Sequence, residues 1–218
     1  MWCEESSVPL YQVAELSAKG VHRMLVKCPG RKADTFRIVS QADIVRFCVE
    51  HISEDRVLHA LCTSPISDSH PVRDPASMKL VHIDIESHMI TALKLLVRHT
   101  LSALPVTDSN QDGKLIATLS SSIFREILEY TNFVYLINRM RTMSVRSFLK
   151  VFGPDQLEPP FLRQITCLES DNMLEVMMKA LKHNVHRVWC VDLAGRPLRA
   201  ITYSDFIEMI EKDFFARK

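Results

Sequence analysis

The sequence predicts an α+β fold: tandem units, each a small sheet flanked by helices. Three observations predict it. First, the blocks Gly20-Val21-His22-Arg23-Met24-Leu25-Val26, Thr100-Leu101-Ser102-Ala103-Leu104-Pro105-Val106 and Asn184-Val185-His186-Arg187-Val188-Trp189-Cys190 recur, about 80 residues apart, as repeat architectures do. Second, the anchors Ser40-Gln41-Ala42-Asp43, Ser120-Ser121-Ser122-Ile123 and Thr202-Tyr203-Ser204-Asp205 follow at nearly the same interval. Third, short apolar runs alternate with stretches of helical apolar spacing, so each unit reads strand, helix, strand, turn, strand, helix.

Residues 1–53 form the second half of a unit, with no opening strand for it upstream. Residues 1–8 read as frayed. Leu10, Val13, Ala14 and Leu16 have helical spacing within 9–19, and Gly20 stops that helix. Met24 to Val26 and Phe36 to Val39 read as strands around the Pro29-Gly30 turn. Asp43 falls in the first turn of a helix over 41–51, where a carboxylate complements the helix dipole. Residues 54–79 are a connector, a short helix over 54–63 and then a turn-rich stretch with Pro65, Pro71 and Pro75.

The second unit covers 80–132. Its strands are Val81 to Ile83, Ala103 to Val106 and Leu115 to Leu119, with a helix over 89–99 and another from about Ser121. Residues 133–163 are a junction. Its helical piece, about Val145 to Val151, ends before Gly153-Pro154 and Pro159-Pro160. The third unit covers 164–218. Ile165 to Cys167 opens it, a helix follows over 173–183, then strands at 188–191 and 198–201, then the last helix. Met89, Leu93, Leu96, Met173, Val176 and Met177 are core positions. With its first unit incomplete, the chain predicts an exposed apolar face around Leu10, Val13, Met24 and Val26 unless something covers it.

Composition narrows the function classes. The 218 residues are 47% hydrophobic and 24% charged, with a net charge of +1. No global field steers such a chain to nucleic acid or to an anionic membrane. No apolar run approaches a membrane span, and Met1 to Glu5 is no secretory signal. The six cysteines show no paired spacing and read as reduced and mostly buried, in a cytosolic or nuclear setting. There is no P-loop, nucleophile elbow or paired-carboxylate site, and His183 and His186 have no third ligand for zinc. The expectation is a protein without catalysis, metal or cofactor.

What remains is a set of polar groups at strand and helix ends. Asp205 can accept from a cis-diol. Thr202 and Ser204, read as part of one extended segment, put both hydroxyls on one side. Arg187 offers a fork to phosphate oxygens and His186 a further donor. Together they suit a nucleotide. Each has a plainer reading: a His-Arg pair at a strand start is commonly surface, and Asp43 can serve its helix alone. Ile123 stands where the other units carry a carboxylate, and it cannot accept from a diol.

The blocks around His22-Arg23, Ser40 to Ile44, Leu101 to Val106, Val185 to Trp189 and Ile201 to Phe206, with Pro65-Ile66-Ser67-Asp68, resemble cystathionine-beta-synthase (CBS) domains. More narrowly they resemble the gamma regulatory subunits of AMP-activated and SNF1-related protein kinases, the plant gamma-like branch above all. The resemblance implies one complete CBS pair, a partial repeat before it, and AMP, ADP or ATP bound between the second and third units of this chain. It implies that Ser87, Ser102 and Ala103 line the adenosine pocket with His186, Arg187, Thr202, Ser204 and Asp205. His22 and Arg23 would reach the phosphates from the opposite module, with Asp43 as a further ribose candidate. The implied partners are the kinase catalytic (alpha) and scaffold (beta) subunits. A nucleotide-free scaffold and a CBS sensor for a non-kinase partner remain the alternatives, and a homodimer is one way to cover the first unit's apolar face.

Overall fold

A computed structural model describes residues 3–30, 35–68, 80–124, 127, 132–152 and 164–213. Among the described residues there are three sheets, each of three strands that lie side by side in chain order. Two compact units form: residues 1–77 with 167–188 and 200–218, and residues 78–166 with 189–199.

The first unit opens with a strand that sequence reading did not supply. β1 (Cys3–Glu5) pairs in parallel with β2 (Arg23–Cys28), which pairs antiparallel with β3 (Thr35–Ser40). Residues 3–5 are therefore not frayed, and the N-terminal unit is fuller than expected. Three residues are too few for a periodic signal, and they gain order only from the β2 edge. Between β1 and β2 lies α1 (Leu10–Ala18); after β3 comes α2 (Gln41–His51). The expected exposed face is covered. Val13 and Met24 are buried, and Leu10 and Val26 are half-buried. The cover is α8 (Tyr203–Asp213), the last helix, packed on α1 and α2. A contact between the two ends of the chain leaves no local trace in sequence.

α3 (Arg56–Thr63) is capped by Asp55, whose Oδ1 accepts from Val57 N and Leu58 N. The connector after it is anchored: Ile66, fully buried, donates its N–H to Asp171 O at 2.9 Å. α7 (Met173–Lys182) packs on α2 and α3 and buries Met173, Val176 and Met177. Cys48 and Cys62 are buried thiols of this unit, pushed up by burial to about 11 and about 12, which keeps them protonated and inert. Pro71, Pro75 and the junction prolines lie outside the described residues.

In the second unit β4 (Ile83–Asp84) pairs in parallel with β5 (Ala103–Asp108), and β5 antiparallel with β6 (Lys114–Ser120). α4 (Met89–Arg98) crosses between the parallel strands. α5 (Phe133–Thr142) starts at Asn132, whose Oδ1 accepts from Val134 N and Tyr135 N, so the junction holds a helix the apolar pattern did not separate. α6 (Val145–Phe152) is pinned to the β4–α4 loop by Val145 N to Ser87 O and Arg146 N to Ile85 O, both 2.9 Å. Met89, Leu96, Leu104, Leu119 and Phe148 centre the core. The 189–199 hairpin belongs here: Trp189 Nε1 donates to Thr118 Oγ1 at 2.8 Å, and Leu115 N to Gly195 O at 2.9 Å.

β7 (Thr166–Cys167), β8 (Arg187–Val191) and β9 (Pro197–Thr202) complete the third sheet. The helix-to-strand link is the same in all three repeats. Gly20, Thr100 and Asn184 hold φ of 94°, 52° and 51°. Glycine and asparagine tolerate that left-handed backbone; a β-branched threonine does so only where flanking structure holds it.

Candidate functional site

α2 and α8 begin in the same way. Ser40 ends β3, and Asp43 Oδ2 accepts from Ser40 N at 2.9 Å and from Ser40 Oγ at 2.7 Å. Thr202 ends β9, and Asp205 Oδ2 accepts from Thr202 N and Oγ1, both at 2.7 Å. A carboxylate three residues into the helix thus reaches back to the strand end, as in a capping box. The Ser40 hydroxyl is the main cause holding the Asp43 carboxyl below its usual range; burial works against it, while the Ser40 N–H and Arg46 add to it.

These bonds alter the expected geometry. Asp205 Oδ2 serves the cap with two hydrogen bonds, so the two carboxylate oxygens are not placed alike. Thr202 and Ser204 are not in one extended segment: Thr202 closes the strand and Ser204 lies in the first turn of α8. The polypeptide turns at Tyr203 because the cap starts the helix there. Ser204 Oγ accepts from Gln41 Nε2 at 3.0 Å instead of standing beside Thr202.

Strand starts supply the cations. Arg187 opens β8, and burial lowers its pKa, though a guanidinium remains charged. His186 precedes it with its ring edge-on to Tyr203, centroids 5.9 Å apart. Partial desolvation of that ring, and then the nearby charges of Arg187, Arg23 and His22, hold its pKa below the ordinary histidine value. His22, Arg23, His186 and Arg187 therefore share one electrostatic neighbourhood.

Gln41 joins the two helix starts, and sequence reading gave it no role. It is buried. Its Nε2 donates to Ser17 O at 3.2 Å and to Ser204 Oγ at 3.0 Å, and its Oε1 lies 2.9 Å from His22 Nδ1. A backbone carbonyl only accepts, so Nε2 must face Ser17. Oε1 then faces His22, and Nδ1 carries the hydrogen. A neutral His22 thereby keeps Nε2 without a proton, and it donates to an anion through Nε2 only as imidazolium. The one signal in sequence was Gln41's place beside Ser40; its burial was not visible.

The structure thus gathers His22, Arg23, Asp43, His186, Arg187, Thr202, Ser204 and Asp205 in the first unit. Ser87, Ser102 and Ala103 belong to the second. There Ala103 is buried, Ser87 O accepts from Val145 N, and Ser102 O accepts from Ser121 N at 2.9 Å. Ile123 is 3% exposed and joins that unit's core.

Residues 72–129 match the model of the CBS domain. The chain carries a CBS domain. The other two repeats have the same order of strands and helices as this CBS repeat. Over its full length the chain is similar to the SNF1-related protein kinase regulatory subunit gamma-like PV42a of Arabidopsis thaliana, 21% identical over 230 residues, 96% of this chain. It spans 63% of that relative's length. Among solved structures it is similar to protein MJ1225 of Methanocaldococcus jannaschii, a proposed archaeal homologue of g-AMPK: 16% identity, TM-score 0.60, 94% of this chain and 66% of that one. A conserved protein from Pyrococcus horikoshii gives 15% identity and a TM-score of 0.61, covering 95% and 78%. The CBS-pair protein CBSX2 of Arabidopsis thaliana gives 18% and 0.53, covering 71% and 98%. At these identities the structures establish the CBS fold.

Proposed function

We propose that the chain is a non-catalytic regulatory protein that binds AMP, ADP or ATP where its first and third repeats meet. The carrying observation is the group of His22, Arg23, His186 and Arg187 beside two helix starts that each present a carboxylate. The cations suit phosphate, Asp205 suits ribose, and the α8 N-terminus adds partial positive charge. On this reading the site lies at repeats one and three, which both carry the carboxylate; the second repeat has Ile123 at that position. Through this site the chain would modulate a SNF1-related or AMP-activated-type kinase together with catalytic and scaffold subunits, in the cytosol or nucleus. The likeness to the gamma-like subunit supports that choice. Regulation would be linkage: a nucleotide that contacts two arrangements of a complex unequally shifts their balance.

Isothermal titration of the 218-residue chain with AMP, ADP and ATP tests the site, and pull-down with a kinase catalytic subunit tests the partner. Heat with AMP that vanishes in Asp205→Ala supports the reading. No heat with any of the three removes it. Ile123 favours the second reading for the middle repeat alone, a nucleotide-free scaffold for association, including with a partner that is not a kinase.

A further inference from the structure

The outward side of α5 carries a pattern that neither its helix nor the core explains. Leu136 and Met140 face inward and are buried. In the first turn Phe133 is 62%, Val134 65% and Tyr135 54% exposed. A run of large apolar side chains open to water is unfavourable unless a partner covers it. Aromatic and β-branched residues are also poorer helix formers than alanine, glutamate or lysine, so helix stability does not select them here.

The charges on the same stretch are one-sided. Residues 132–152 hold Arg139, Arg141, Arg146 and Lys150 and no aspartate or glutamate, in a chain with a net charge of +1. Arg146 pairs with Glu86. Among the described residues no ion pair holds Arg139 or Arg141, and both are exposed in the last turn of α5. A helix dipole favours cations at that end, which accounts for their sign but not for the apolar first turn. Helical spacing lines the two sets up. One row runs Val134, Asn138, Arg141 and the next Tyr135, Arg139, Thr142, each about 10 Å long at roughly 1.5 Å per residue. The Arg139 guanidinium lies over the Tyr135 ring, 5.9 Å from its centroid, which restrains both side chains.

We propose that this face of α5 docks an acidic amphipathic segment of another protein, with apolar side chains against Val134 and Tyr135 and carboxylates on Arg139 and Arg141. Arginine forks hold carboxylates bidentately. Aromatic residues and arginine are enriched in protein interfaces and lysine is depleted, and α5 contains no lysine. A helix that lies on a membrane keeps apolar residues along its whole length; the exposed ones here stop after the first turn. The face belongs to the second unit and does not rest on the nucleotide reading.

Fluorescence anisotropy without nucleotide tests it. The probe is a labelled alanine-based helical peptide with leucine on one turn and glutamate on the turns that follow. The same peptide with lysine for glutamate is the control, and flotation with phosphatidylserine vesicles is the third arm. The 218-residue chain should bind the glutamate peptide saturably, less tightly as salt rises, and should bind neither the lysine peptide nor the vesicles. Arg139→Glu with Arg141→Glu should weaken binding about tenfold or more, as the loss of a charge-assisted hydrogen bond does. Val134→Ser with Tyr135→Ser should weaken it and leave its salt dependence in place. Leu193→Asp, at a site 95% exposed in the β8–β9 turn, should change nothing. The replaced side chains are exposed, so each variant should keep the wild-type circular dichroism; if the charge-reversed one unfolds, the serine one decides. No binding of the glutamate peptide, equal binding of the lysine peptide, an affinity that survives both double substitutions, or binding to the vesicles alone overturns the proposal.

Discussion

Three repeats share an outer strand running into a helix, yet they use the third helical residue in opposite ways. In the first and third repeats it is Asp43 or Asp205, turned back to hold the strand end through Ser40 or Thr202. In the second it is Ile123, turned inward to the cluster with Phe148 and Leu119. The second repeat still caps its helix, by a weaker route: Ser120 Oγ lies 2.9 Å from Ser122 Oγ and accepts from Ser122 N at 3.3 Å. One backbone position can thus serve a polar helix cap or a hydrophobic core, and its side chain decides which. Fold and site are separable in this protein, because the capping geometry is kept by hydroxyls when the carboxylate is gone.

Exchanging the two uses gives the largest effect. Ile123→Asp places an unpaired carboxylate in the second unit's core. A loss of about 3–5 kcal/mol is expected from the missing packing and the desolvated charge, read as a lower urea midpoint. It should not create a nucleotide site, because Ala103 replaces the arginine of the other two repeats. A stable Ile123→Asp that binds AMP more tightly would break the comparison.

Removing the carboxylate from the third repeat is next. A hydrogen bond to a charged group contributes roughly 1.5–3 kcal/mol, so Asp205→Ala should weaken AMP about 10- to 100-fold by calorimetry. Asp43→Ala should cost less, because Asp43 is exposed and water replaces it more readily. Equal losses would make the two ends equivalent sites. An affinity unchanged in Asp205→Ala would leave the cluster a structural feature.

Gln41→Leu sharpens the same comparison from the inside. The middle repeat has Ser121 at this place and the third Tyr203, so only the first repeat sends an amide across. The variant leaves Ser17 O, Ser204 Oγ and His22 Nδ1 without this partner, at a cost of about 1–3 kcal/mol in denaturant unfolding. With His22 no longer held, AMP affinity should fall as well. Stability and affinity both unchanged would show that the amide is dispensable.

Gln41 also marks what a sequence can reveal. The elements with strong periodicity were legible: α2 begins and ends where the apolar spacing put it, and α1, α4 and α7 differ by a residue or two at their ends. The cations and carboxylates were legible because they recur at fixed places in the repeats. Three features were not. β1 is three residues long and exists only through its neighbour. α5 takes its start from the Asn132 cap, which apolar spacing does not report. The pairing of α1 with α8 joins the two ends of the chain, so nothing local encodes it. That last contact brings the start of α8 beside α1 and α2. Periodicity reports how each repeat folds; which repeats face each other depends on complementary surfaces that are far apart in sequence.

The smallest predicted effect tests the cluster without any ligand. His186 has its pKa lowered in the folded chain by partial burial and by Arg187, Arg23 and His22. The unfolded chain therefore takes up a proton first as pH falls. Stability from this group is full above the unfolded histidine value, about 6.5, and is lost as pH drops toward the folded value. The thermal midpoint of the wild type should fall between neutral and mildly acidic pH, and the fall should be shallower in His186→Gln. Bound phosphate reverses the inequality, since an anion raises the pKa of every cation-capable group around it. With saturating AMP the His186 contribution to the slope should shrink or change sign, whereas a cluster that holds no anion would show the same slope with and without nucleotide.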